Sequence, residues 1–249
     1  MIIMYSFYYI EMYKVISFGH RCSSASFLKR LNLKTESYPF DWLISKLDVI
    51  QDCIETRFVH FLRPANYATM DTETFNMIDN VKHHICYETI QVNTYYEPDP
   101  KNTQTYQYKL ALNHHNIQND CEYFKRCINR LYDLFESDIQ KYYVYIHPIL
   151  GINDLRQTQE DILSEFDTFS RFISEYTKNI FGIYFILVRH VDVENRKSVK
   201  IRETPNYIVF AIYCSDELVD GGKPFMGNPY REMVEIMTIL QNIFDTRII

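Results

Sequence analysis

Glycine is scarce in this chain, with six in 249 residues, and there is a single tryptophan. No complete GxGxxG run and no P-loop occurs, so the glycine-rich phosphate cradles of nucleotide-binding proteins are missing. The six cysteines, at positions 22, 53, 86, 121, 127 and 214, include no CxxC pair, and no HExxH stretch is present. Structural zinc and zincin-type catalysis are therefore disfavoured, and neither a metal nor a cofactor is expected. The irregular cysteine spacing suits reduced thiols in a cytoplasmic protein better than a disulfide framework. Positive charge is also in deficit. With 26 Lys and Arg against 32 Asp and Glu, the net charge of −6 argues against a nucleic-acid partner. The apolar start, Met1 to Ile10, lacks a basic flank and a small-residue cleavage site and is too short to span a bilayer. It reads as neither signal peptide nor membrane helix, and no membrane partner is expected.

What the chain has in abundance is aromatic and aliphatic bulk: 21 tyrosines, 17 phenylalanines and 47% hydrophobic residues, enough for a sizeable core. The excess of Tyr, Phe, Ile and Asn over Gly and Trp follows AT-rich codon usage and carries no mechanism. No linker-like stretch divides the chain, so one α/β domain over 1–249 is expected. Residues 1–12 read as an extension or extra strand, and 58–80 and 95–105 as surface excursions.

Strand-like runs fall at Lys14–Phe18, His84–Val92, Tyr106–Leu112, Tyr142–His147, Ile183–Val188 and Tyr207–Tyr213. Helical periodicity falls at Ser23–Leu31, Lys46–Thr56, Asp120–Phe135, Thr158–Tyr176 and Pro229–Phe244. Asn119 or Asp120 is expected to cap the third helix, and Gln157 or Thr158 to start the fourth. The alternation of strand and helix in the second half predicts a layered, mixed, mainly parallel sheet flanked by helices, Rossmann-like in plan. The nearly all-apolar strands fit burial on both faces.

In open α/β sheets, ligands bind beyond the carboxyl ends of the strands. Gly19, His20, Arg21 and Cys22 follow the first strand, and His114 and His115 follow Tyr106–Leu112. His147 ends the Tyr142 strand, Arg189 and His190 follow Ile183–Val188, and Cys214, Ser215 and Asp216 close the last. If the strands are parallel, these groups share one edge. Cys22 stands out, because a thiol at a helix N-terminus meets unpaired N–H groups and the positive end of the helix dipole, which favour the thiolate. A buried structural cysteine is the competing reading. Of His114 and His115, neighbours in extended chain, at most one can serve a given site, as a general base. Asp41, between Phe40 and Trp42, needs a partner; it could orient a histidine or cap the next segment. His83, His84 and His60 carry no spacing signal.

Ser17-Phe18-Gly19-His20-Arg21-Cys22, then Phe27-Leu28 and Ser37-Tyr38-Pro39-Phe40-Asp41-Trp42, resembles the opening of the putative papain-like cysteine peptidase family of bacteria and large DNA viruses. A second block, Leu112 to Asn116 followed by Tyr123 to Arg130, resembles the family's strand-end histidine and aromatic, Arg-rich helix. The codon bias fits a viral member, which would act in the host cytoplasm, and fits an AT-rich bacterium equally. The resemblance implies Cys22 as nucleophile, His114 or His115 as its base, and Asp41 as a third member or a brace. A papain-like α+β fold is the alternative architecture it implies.

Three functions follow. The first is a cysteine-dependent hydrolase or acyl-transfer enzyme acting on a protein or small molecule, with N–H groups of residues 22–24 holding the oxyanion. The second is a transferase-like protein binding a sugar, nucleotide or phosphorylated ligand through Gly19, His20, Arg21, His147 and Arg189. The third is a non-catalytic virus–host interaction protein.

Overall fold

Along Val15-Ile16-Ser17-Phe18, alternate side chains feed two different apolar clusters, Val15 into one and Ile16 and Phe18 into the other. That is the signature of a strand covered on both faces. In the computed structural model, which describes residues 13–19, 22–71, 89–96, 110–112, 115–150, 155–189, 198–214 and 231–247, this strand begins the fold. The elements are β1 (Tyr13–Gly19), α1 (Cys22–Arg30), β2 (Leu43–Ser45), α2 (Leu47–Glu55), β3 (Tyr67–Asp71), β4 (Thr89–Asn93) and β5 (Leu110–Leu112). They continue with α3 (Ile117–Glu136), β6 (Gln140–Leu150), α4 (Leu155–Tyr176), β7 (Ile180–Arg189), β8 (Val199–Glu203), β9 (Tyr207–Cys214) and α5 (Arg231–Arg247).

The larger sheet has the order β1-β6-β7-β9-β8. Its first four strands are mutually parallel, and β8 runs antiparallel to β9. The two-sided alternation continues through β6, where Tyr142, Val144 and Ile146 join one cluster and Tyr143 and Tyr145 the other. Phe27 and Leu28 of α1 and Ile236, Leu240 and Ile243 of α5 cover the first face. Phe124 and Leu131 of α3 and Phe166 and Phe169 of α4 cover the second. The result is a mixed α/β layering around a mainly parallel sheet, as the strand–helix alternation predicts.

A second sheet, of order β2-β5-β4-β3 and antiparallel throughout, is not expected as a sheet, although β4 and β5 fall at the expected strands His84–Val92 and Tyr106–Leu112, whose residues 84–88 and 106–109 lie outside the described residues. Leu43, Leu110 and Leu112 turn one of its faces into the larger core, while Ile44, Ile90, Val92 and Ala111 form a small cluster on the other. Ser45 Oγ donates to the Phe18 carbonyl at 3.1 Å and ties β2 to the end of β1. This sheet corrects two expectations. The Phe58–Asn80 region is not merely a surface excursion: Phe58 and Phe61 are fully buried and Tyr67–Asp71 forms β3. And β5 pairs antiparallel with β2 and β4, so His114 and His115 do not leave a strand of the parallel sheet.

Helix ends show how the chain manages with few glycines. After α1, Asn32 takes φ 56° while Leu33 N–H reaches the Leu28 carbonyl at 2.9 Å. After α2, Arg57 and Phe58 both hold positive φ while Phe58 N–H donates to Cys53 at 2.7 Å. These are glycine-type helix stops built without glycine. At Phe58, burial against Phe40, Phe61 and Tyr132 holds the unfavourable backbone in place. The cap of α3 is Asn116, not Asn119 or Asp120: its side chain accepts from the N–H groups of Gln118 and Asn119. α4 starts at Leu155, earlier than Gln157 or Thr158. No helix among the described residues is long and apolar enough to cross a membrane.

Candidate active site

β1 ends at Gly19, whose φ of 89° is a left-handed value open to glycine and strained for other residues. The register slips between Ser17 and Gly19, a bulge just before Gly19 makes the last pairing of β1, with Tyr145. Three residues later α1 begins, with Cys22 as its first residue. α1 carries no acidic residue in its first turn and has Lys29 and Arg30 in its last, so its N-terminal end keeps its positive character. The helix is anchored to the strand by the buried Ser17 and Ser24 hydroxyls, 2.6 Å apart. The Cys22 side chain, with His20, Arg21 and His114, lies outside the described residues.

His115 precedes the cap of α3. Its Nδ1 lies 3.2 Å from Asp120 Oδ2, the same oxygen that accepts the Asn116 N–H at 2.9 Å. Its ring stacks on Tyr123, with centroids 4.9 Å apart, and meets Phe124 edge-on at 5.1 Å. Only 20% of the side chain is exposed. Asp120, one of the two residues expected to cap α3, is instead the carboxylate partner of His115. No capping-box signal marks the pairing, since Asp120 lies four residues past the cap Asn116, one beyond the position that box uses.

Asp41 is buried, and its Oδ2 pairs with Lys34 Nζ and accepts the Tyr38 N–H at 2.8 Å. Asp41 N–H in turn donates to the Tyr38 carbonyl at 3.3 Å, closing the Tyr38–Asp41 turn on itself. Burial pushes the Asp41 carboxyl up to about 6, with Lys34 opposing the shift. Its Oδ1 has no hydrogen-bond partner. Arg130 of α3 donates to the Ser37 carbonyl at 2.9 Å and fastens this block to α3. His115 and Asp41 thus have separate hydrogen-bond partners. Phe40 is fully buried, as expected, whereas Trp42 is only partly so.

A line of rings connects these parts: Phe18–Phe40 at 6.0 Å, Phe40–Phe61 at 6.4 Å, Phe61–Phe124 at 5.0 Å and Phe124–His115 at 5.1 Å. Edge-to-face contacts of this kind are directional as well as apolar. They fix His115 relative to the end of β1 through three intervening phenylalanines.

Because β1, β6, β7 and β9 are parallel, Gly19, Leu150, Arg189 and Cys214 end at one edge. His147 sits on β6 two residues past Tyr145, the partner of Gly19, with its ring edge-on to Tyr145 and Phe166. The side chains of Arg189 and Cys214, and all of His190, Ser215 and Asp216, lie outside the described residues. Elsewhere, Cys53 is fully buried against the Tyr96 hydroxyl at 3.4 Å, and burial pushes its thiol far up. Cys127 is pushed up by the same cause. Among the described residues, no group of three or more His, Cys, Asp or Glu is arranged to hold a metal ion.

No curated protein and no solved structure matches the chain. A family model described as "Putative papain-like cysteine peptidase (DUF1796)" matches residues 13–190, from the first residue of β1 to just past the end of β7. That span contains the Gly19–Cys22 segment, the Asp41 block and the His115–Asp120 pair, and covers well over half of the chain, which belongs to this family.

Proposed function

We propose that the protein is a cysteine-dependent hydrolase or acyl-transfer enzyme with Cys22 as nucleophile and His115 as its base. The observation that carries the reading is the start of α1 at Cys22, three residues after Gly19 with its left-handed φ. The first N–H groups of a helix have no acceptor within it, and together with the dipole they favour both a thiolate and the oxyanion that forms when it attacks a carbonyl. In the reaction the thiol proton passes to His115, sulfur bonds the carbonyl carbon, and the protonated imidazole returns the proton to the leaving group. Water or a second acceptor then releases the acyl group. Asp41 acts as a brace of the turn that follows α1, the role its closed pairing with Lys34 and Tyr38 favours. Family membership supports the same reading.

A second reading rests on the parallel sheet edge, where His147 stands next to the Gly19 turn. In a Rossmann-like plan that edge receives ligands, so His147 and Arg189 would contact an anionic substrate or ligand there.

Alkylation by iodoacetamide, followed cysteine by cysteine with mass spectrometry, tests the proposal. Cys22 is expected to react at least about tenfold faster than Cys121, the partly exposed reference thiol, and His115→Gln to remove most of that advantage. Equal rates at Cys22 and Cys121 would overturn the proposal. Loss of the advantage in His147→Gln but not in His115→Gln would move the base to β6.

A further inference from the structure

The carboxylate beside His115 comes from the first turn of α3, the helix that follows it, and not from the Tyr38–Trp42 block. We infer that Asp120 is the positioning residue of His115, holding the proton on Nδ1 so that Nε2 is the nitrogen that takes the thiol proton. This rests on the reading of His115 as base and deepens it.

Three observations carry the inference. Asp120 Oδ2 lies 3.2 Å from His115 Nδ1, within reach of a charge-assisted hydrogen bond once Nδ1 bears the proton. That oxygen is itself held by the Asn116 N–H at 2.9 Å, so the carboxylate is fixed by backbone and cannot swing freely. And the ring is clamped, stacked on Tyr123 and abutted by Phe124, so the plane in which Nε2 points is set. A neutral imidazole has one donor and one acceptor nitrogen, and an acceptor-only carboxylate at Nδ1 selects the tautomer with Nε2 free. When Cys22 gives up its proton, that proton goes to Nε2. The Nδ1 proton stays where it is, and the carboxylate stabilises the imidazolium without being protonated.

The placement also explains an oddity of α3. Asn116 already caps two N–H groups, at Gln118 and Asn119, yet Asp120 turns back to take the N–H of Asn116 as well. With Gln91, which accepts the Ile117 N–H at 2.8 Å, three side chains therefore hold one helix end, and Asp120 simultaneously holds the histidine. Asp41 is not the partner in this geometry: its Oδ2 is held by Lys34 and Tyr38, and the carboxylate oxygen at His115 Nδ1 belongs to Asp120.

The experiment is nitrogen NMR on full-length protein labelled with 15N-histidine, paired with the alkylation kinetics above, in wild type, Asp120→Asn and Asp120→Ala. Wild-type neutral His115 is expected to carry its proton on Nδ1. Asp120→Ala should shift it to the Nε2-protonated form and slow Cys22 alkylation about tenfold or more. Asp120→Asn, which keeps an oxygen for the Asn116 N–H, should fall between. A purely structural role at the cap would lower thermal stability without moving the tautomer. An Nε2-protonated His115 in wild type, or an unchanged tautomer in Asp120→Ala, overturns the inference. Failure of the parent reading is read separately, as a wild-type Cys22 no faster than Cys121, and the tautomer still decides the role of Asp120.

Discussion

Asp41 is a buried carboxylate tied into its own turn. Its carboxylate closes the Tyr38–Asp41 turn and pairs with Lys34, so it organises the chain that leaves α1. Its protonation follows from burial. Because its folded carboxyl lies near 6, above the ordinary unfolded value of about 3.9, the folded state binds the proton more tightly. The stabilisation that follows is fully present below about pH 4 and is lost as pH rises through about 6. The stability of wild type relative to Asp41→Asn, measured by urea unfolding, should therefore decline between pH 4 and 6.5. A difference that rises or stays flat over that range would contradict this account. At this scale the sequence was informative about identity and silent about partners. Cys22, Asp41 and His115 all stood out by residue type and context. That Asp41 would pair with Lys34, and His115 with Asp120, depends on a seven-residue and a five-residue return of the chain, which no local pattern encodes.

Among the elements, β6 and β7 show how tightly the parallel sheet is fitted. Tyr143, Tyr184 and Ser170 share a buried set of hydroxyl hydrogen bonds of 2.6 to 2.9 Å. The ring of Tyr143 lies over Gly182, where an added Cβ would come within 2.5 Å of the Tyr143 hydroxyl and 2.9 Å of the Tyr184 ring. Gly182→Ala should therefore cost about 1–3 kcal/mol by overpacking, read as a lower urea midpoint with unchanged slope. An unaltered midpoint would show that the hydroxyl cluster yields easily. The parallel strands were legible because burial on both faces leaves continuous apolar runs, as in Ile183–Val188. Two of the four strands of the second sheet were not. β2 is three residues long, and β3 reads Tyr-Ala-Thr-Met-Asp, with neither a run nor a clean alternation. Such strands are fixed by their neighbours: β2 by Leu112 and by its bond to Phe18, β3 by β4. Expecting all strand-end histidines on one edge failed for the same reason, since it assumed a single sheet.

In the whole molecule, the two sheets meet at the end of β1, and one apolar cluster runs from Ile16 through the aromatic block of Phe40, Phe58 and Phe61 to Phe124 and Leu131. The candidate nucleophile stands at the edge of the parallel sheet, while the candidate base enters from the antiparallel one. α3 carries His115 at one end and delivers the chain to β6 at the other, where Lys141 Nζ, itself buried, donates to the carbonyls of Ser137, Ile139 and Lys178. The family match runs from β1 past the end of β7 and so takes in strands of both sheets. The direct test of the account is acyl transfer to Cys22 itself. Incubation of the folded protein with an activated ester such as p-nitrophenyl acetate should give one rapid acylation, mapped by peptide mass spectrometry to Cys22. That adduct should be absent in Cys22→Ala and slowed in His115→Gln. Acylation that survives Cys22→Ala, or that falls on lysines at the rate of the unfolded chain, would contradict the claim that this turn is built for a nucleophile.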